Sequence, residues 1–150
     1  MLRLRVQPLN TDQVLLYLKV LCGVAAADGE ITEAERAMFE ATMADYGLPD
    51  HARRLIRGCL DAPPAIEGEL RRLDEGPVRR LFLRDAWLMA YMDGRVSDPE
   101  RERLDAVRRA LRLPESEAAA AEGWVREGLA WIERGDEMVG TLSAHRRSMF

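Results

Sequence analysis

Residues 25–35 read AAADGEITEAE, and residues 90–100 read AYMDGRVSDPE. Set one beneath the other, Asp28 falls on Asp93, Gly29 on Gly94, Ile31 on Val96, Thr32 on Ser97 and Glu35 on Glu100, at a constant offset of 65 residues. The same offset carries LYLKVLCGVA at 16–25 onto LFLRDAWLMA at 81–90, and GLPD at 47–50 onto RLPE at 112–115. A repeat on this scale marks a supersecondary unit used twice.

Each copy reads as helix, tight loop, helix. In the first, Val14, Leu15, Leu18, Leu21, Cys22 and Ala25 follow helical spacing and predict a helix from Thr11 or Asp12 to Ala27. Asp28-Gly29 turns the chain, glycine accepting the positive φ that other residues resist. Thr32 is then an N-cap, and Glu35 three residues on completes a capping box. The helix it opens runs to Tyr46 and buries Met38, Phe39, Thr42 and Tyr46, with Gly47 and Pro49 as the stop. In the second copy Pro77 opens a helix ending near Met92. Ser97 caps the next, with Pro99 in its first turn and Glu100 closing the box, and that helix runs to Leu111.

Between the copies, DHARRLIRGCL and AIEGELRRL form two shorter amphipathic helices separated by Pro63-Pro64. A last helix spans Glu115 to Glu133, with Gly135 as its breaker. Residues 1–7 alternate Leu2, Leu4 and Val6 with polar residues, as an extended arm would. The expected fold class is all-α: one compact domain, a bundle of about seven helices built from two pseudo-twofold related helix-loop-helix repeats. The expected boundaries are an arm at 1–9, the helical domain at 10–135 with repeats at 12–48 and 77–113, and a tail at 136–150.

Composition bounds the functions. The chain has 150 residues, 47 % hydrophobic and 32 % charged, with a net charge of −4. No overall basic field draws it to nucleic acid. The arginines of RRLFLRDA and RERLDAVRRALR alternate with acids, as solvated helix faces do. Lys19 is the only lysine. Cys22 and Cys59 sit in apolar helical patterns as small hydrophobes, which fits a reducing cytoplasm. The first 27 residues imitate a secretory leader, but their apolar stretch recurs mid-chain, so it is expected to be a helix of the domain. From Val14 to Ala27 it has 14 residues, against about 20 needed to span a bilayer, and no membrane insertion is expected.

From Asp28 onward the first loop also matches the back half of a calcium-binding EF-hand loop. Its front half is absent: Val24 and Ala26 stand where oxygen ligands belong. Two uses of the loop acids are therefore open. Asp28 and Asp93 can accept backbone N–H groups in their own turns while Glu35 and Glu100 cap helices. Alternatively Asp28, Glu35, Asp93 and Glu100 can pool four carboxylates around a weakly held divalent cation, calcium or magnesium.

Two copies of A-x-x-D-G-x-[IV]-[ST]-x-x-E, each between helices and followed by GLP or RLP, resemble the tellurite-resistance TerB-like family, a domain type also found in membrane-anchored DnaJ-like co-chaperones. The resemblance covers residues 10–135. It implies an all-α domain with related halves, an association with metal or chemical stress, and divalent-metal binding through Asp28, Glu35, Asp93 and Glu100. The expected function is a non-enzymatic, metal-responsive or protein-binding module in a cytoplasmic stress-response system. The alternative is a pure protein-interaction scaffold with no metal. An enzyme using a loop metal as Lewis acid is the third reading, and no nucleophile or base near the loops supports it.

Trp124 and Trp131 lie seven apart on one helix face. They are core residues in the ordinary case and candidate anchors for an unknown protein partner if exposed. Asp85 interrupts an apolar helix where the first copy has Val20, and it reads as an added ligand or a solvated position. His51 opens a helix and reads as surface.

Overall fold

A computed structural model describes residues 8–140 of the chain. Seven helices follow one another: α1 (Thr11–Ala25), α2 (Glu33–Asp45), α3 (Asp50–Asp61), α4 (Glu67–Arg71), α5 (Gly76–Ala90), α6 (Asp98–Ala110) and α7 (Glu115–Val139). Among the described residues there is no strand. The arm suggested for residues 1–7 lies outside them, as does most of the tail.

Helix α1 is the centre of the bundle. From Leu16 to Ala25 only Lys19 escapes burial, so the helix is surrounded rather than amphipathic. It packs against α3, α5 and α6, while α7 lies on α5 and α4 on α6. One apolar cluster runs through these helices, from Val14 and Leu18 through Phe39, Met43 and Ile56 to Phe82, Leu104 and Val125. The repeat-equivalent residues Tyr17 and Phe82 meet inside it, their ring centroids 5.6 Å apart. At Gly23 α1 leaves room for an arginine: a Cβ there would stand 2.8 Å from Nη2 of Arg103, which also reaches Glu67.

The caps form where the sequence places them. Thr32 and Ser97 each accept the N–H of the glutamate three residues on, and each glutamate accepts the cap's own N–H. Asn10 and Gln13 form a third box at the start of α1. Two residues beyond α2 and α6 the matching positions hold different residues. Gly47 takes φ 63 and its counterpart Arg112 takes φ 58. A non-glycine residue is costly in that region. Arg112 is tied down by hydrogen bonds to the Leu73 carbonyl at 2.9 Å and to Asp74 at 3.1 Å.

Three expectations need correction. The helices before the Asp-Gly loops end at Ala25 and Ala90, two residues earlier than the apolar patterns suggested, because Ala26 and Tyr91 already cap them. Helix α7 does not stop at Gly135 but continues to Val139 and ends at Gly140, with φ 77. One interior glycine costs a helix only about 1 kcal/mol, too little to end it alone. Asp85 is not a solvated position. It is fully buried, accepting from the Tyr17 hydroxyl at 2.7 Å and from Nε of Arg84 at 2.7 Å. Burial and the Asp85 charge together push the Tyr17 hydroxyl far above its ordinary pKa.

The arginine-rich faces are ion-paired to acids of neighbouring helices, as in Arg80–Glu117, Arg101–Glu122 and Arg57–Glu40. Cys22 and Cys59 are buried free thiols, and His51 is exposed. Among the described residues no helix is long and apolar enough to cross a membrane.

Candidate functional site

The two Asp-Gly loops are built alike. Gly29 and Gly94 take φ 92 and 95. Asp28 Oδ1 accepts the N–H of Glu30 at 3.2 Å, and Asp93 Oδ1 accepts that of Arg95 at 3.3 Å. These are Asx-turns, in which a short carboxylate satisfies the backbone two residues on. Ile31 and Val96 sit at the margin of the core, half-buried, and both aspartates face solvent.

The glutamates turn back onto their helices. Glu35 Oε2 takes the Thr32 N–H at 2.7 Å and its hydroxyl at 3.0 Å. Glu100 Oε2 takes the Ser97 N–H at 2.7 Å and its hydroxyl at 3.0 Å. The copies then differ in burial: Glu35 is half-exposed, while Glu100 is only 5 % exposed. Burial raises the Glu100 pKa above the usual carboxylate range, and the charges of Asp93 and Asp28 add to the rise against the opposing Ser97 hydrogen bonds. Asp28 acts across the repeat, so the two loops share one electrostatic neighbourhood.

Whether these acids suit a cation is decided by their free oxygens. Calcium takes roughly six to eight oxygen ligands. Each of the four carboxylates already has one oxygen engaged by a turn or a cap. Among the described residues no group of three or more His, Cys, Asp or Glu side chains is disposed to hold a metal ion. The engaged oxygens hold two turns and fix two helix starts.

The second candidate lies on α7. Only Val125 of this helix is fully buried, with Ala118, Ala121 and Leu129 packed against the core beside it. Trp124 is 46 % exposed and Trp131 68 %. The reading of these two as core residues is therefore overturned. The 3.6-residue period puts Val125 inward and both tryptophans to one side of it. Trp124 is covered on one face by the Arg84 guanidinium, 5.3 Å from its ring centre. Beyond Trp131 the same edge carries Met138, 89 % exposed.

Beside Trp124 the edge opens into a groove of about 480 Å³ between α5 and α7, lined by Leu9, Val78, Leu81, Ala120 and Ala121. Arg80 and Glu117 pair across it at 3.1 Å. The signal for this surface was already in the sequence, as two tryptophans on a helix with too few other large apolar residues to bury them. Comparison with protein-family models, with curated proteins and with solved structures finds no match.

Proposed function

We propose that the chain is a non-enzymatic TerB-like helical module that binds a protein partner through the outer edge of α7, in a cytoplasmic response to tellurite or related chemical stress. One observation carries the binding reading: Trp131 and Met138 stand exposed on one helix edge that leads into an apolar groove. Large apolar side chains so placed are the usual anchors of an interface. The family reading draws support from the paired Asp-Gly loops with matching glycines and capping boxes, and from the meeting of repeat-equivalent Tyr17 and Phe82. The non-enzymatic reading draws support from the loop acids, each of which has an oxygen engaged by backbone, and from Asp85, which serves the core.

A hydrated calcium or magnesium ion, weakly held at the paired loops, is the second reading. The observation that favours it is the shared field of Asp28 and Asp93 at Glu100, which a cation would relieve. Tolerance of tellurite by host cells carrying the chain separates the readings. With partner binding, Trp131→Ser abolishes the protection and Asp28→Asn with Asp93→Asn leaves it. The reverse pattern would favour the cation. Protection unaffected by removing the chain altogether would sink the stress-response role.

A further inference from the structure

The exposed edge of α7 has a regular composition. Trp124, Gly128, Trp131, Gly135 and Met138 recur at alternating spacings of four and three residues, the seam of a heptad. Large and small residues alternate along it. On such a seam an antiparallel pair sets each large side chain over a small one. The pairing is self-complementary in one register: Trp131 over Gly128 of the second copy, Trp124 over Gly135, and Met138 over Ala121. At Gly135 a Cβ would meet nothing within 4 Å, so the space for an indole is open. Ala121 lines the groove between α5 and α7, which would receive Met138 of the second copy.

The flanking charges agree with the same register. Glu127 and Arg134 occupy equivalent flanking positions, both exposed. In the antiparallel arrangement Glu127 faces Arg134 of the second copy, and Arg134 faces its Glu127, which gives two opposite-charge pairs. A parallel arrangement would set each tryptophan against its own copy, where two large side chains compete for one layer.

We infer that a second copy of this chain is a partner, bound as a homodimer in which the outer edge of α7 packs antiparallel on itself from Ala121 to Met138. The contact runs about 26 Å along the helix. It covers on the order of 500 Å² per copy, below the roughly 800 Å² of a standard interface, so the dimer is of modest affinity. The inference rests on the reading of α7 as a binding face and names what that face binds.

Sedimentation equilibrium of the full chain over a range of concentrations tests it. The expected mass rises with concentration from 17.0 kDa toward twice that value. Glu127→Arg should weaken the dimer about tenfold, and adding Arg134→Glu should restore it, because both pairs are then re-formed with reversed sign. Trp131→Ala should weaken it more than about a hundredfold, since both copies lose an anchor. A mass of 17.0 kDa at every concentration, with Trp131→Ala as stable as the parent, overturns the homodimer and leaves the face free for another partner. A Trp131→Ala variant that melts far below the parent makes Trp131 structural and takes the binding reading down as well. A dimer indifferent to all three substitutions uses another surface and also overturns the inference.

Discussion

Replacing Asp85 by valine, the residue at the equivalent position of the other copy, tests the most unusual contact in the core. The carboxylate is fully buried 2.7 Å from the Tyr17 hydroxyl and 2.7 Å from Arg84. A hydrogen bond to a charged group contributes about 1.5–3 kcal/mol, and a buried hydroxyl left without a partner costs about 1–3 kcal/mol. Arg84 adds little to the loss, because its side chain is 37 % exposed and water takes over its charge. Asp85→Val should therefore cost about 2–3 kcal/mol. Tyr17→Phe should cost about the same, since it strips the carboxylate of a donor it cannot replace with water. At roughly 2–4 °C per kcal/mol for a chain of this size, each single variant melts about 5–10 °C below the parent.

The double variant is the decisive one. It gives each position its counterpart's residue, Phe82 for Tyr17 and Val20 for Asp85, and leaves an apolar contact with nothing unsatisfied. Its cost should fall short of the sum of the singles by about 1.5–3 kcal/mol. Thermal and urea unfolding followed by circular dichroism supply the four free energies of the cycle. Additive losses, or an Asp85→Val variant more stable than the parent, would refute the coupling.

Loss of the caps should act alike in both copies: Thr32→Ala and Ser97→Ala each cost about 0.5–2 kcal/mol, and unchanged melting of both would show the boxes to be idle. Stability should also fall in alkali. Burial raises the Cys22 thiol far above its unfolded value of about 8.5, so its full contribution is present below that pH and is lost as pH rises toward the folded-state value. Tyr17 extends the decline above about pH 10 for the same reason. Cys59 is raised by burial too and keeps part of the decline, so Cys22→Ala should make the fall of the urea midpoint between about pH 8.5 and 10 shallower without abolishing it, and a decline parallel to the parent's would contradict the assignment.

What the sequence made legible is what depends on neighbours along the chain. A capping box joins residues three apart, and an Asp-Gly turn is complete within four, so Thr32, Glu35, Ser97 and Glu100 could be placed from their spacing alone. The all-helical class followed from periodicity for the same reason. Asp85 was illegible because its partner Tyr17 lies 68 residues away, and a polar residue in an apolar run has no local sign of being satisfied. The contrast with Val20 was the only hint. The two tryptophans share a face by spacing, but which face meets the core depends on Val125 and its packing on α5. The difference in burial between Glu35 and Glu100 likewise comes from how each loop packs, which two nearly identical motifs cannot reveal.

A chain that met its partner at the outer edge of α7, as proposed, and not at the pair of Asp-Gly loops would be captured there by a crosslinker. An aromatic photo-crosslinking amino acid, which keeps a ring at the Trp131 anchor, placed at position 131, and separately at position 28, in the full chain inside living cells tests this. Both positions are exposed, so neither replacement disturbs the core. A discrete covalent product is expected from position 131, lost when Met138→Ser is added, and none from position 28. A product from position 28 with none from position 131 would contradict it.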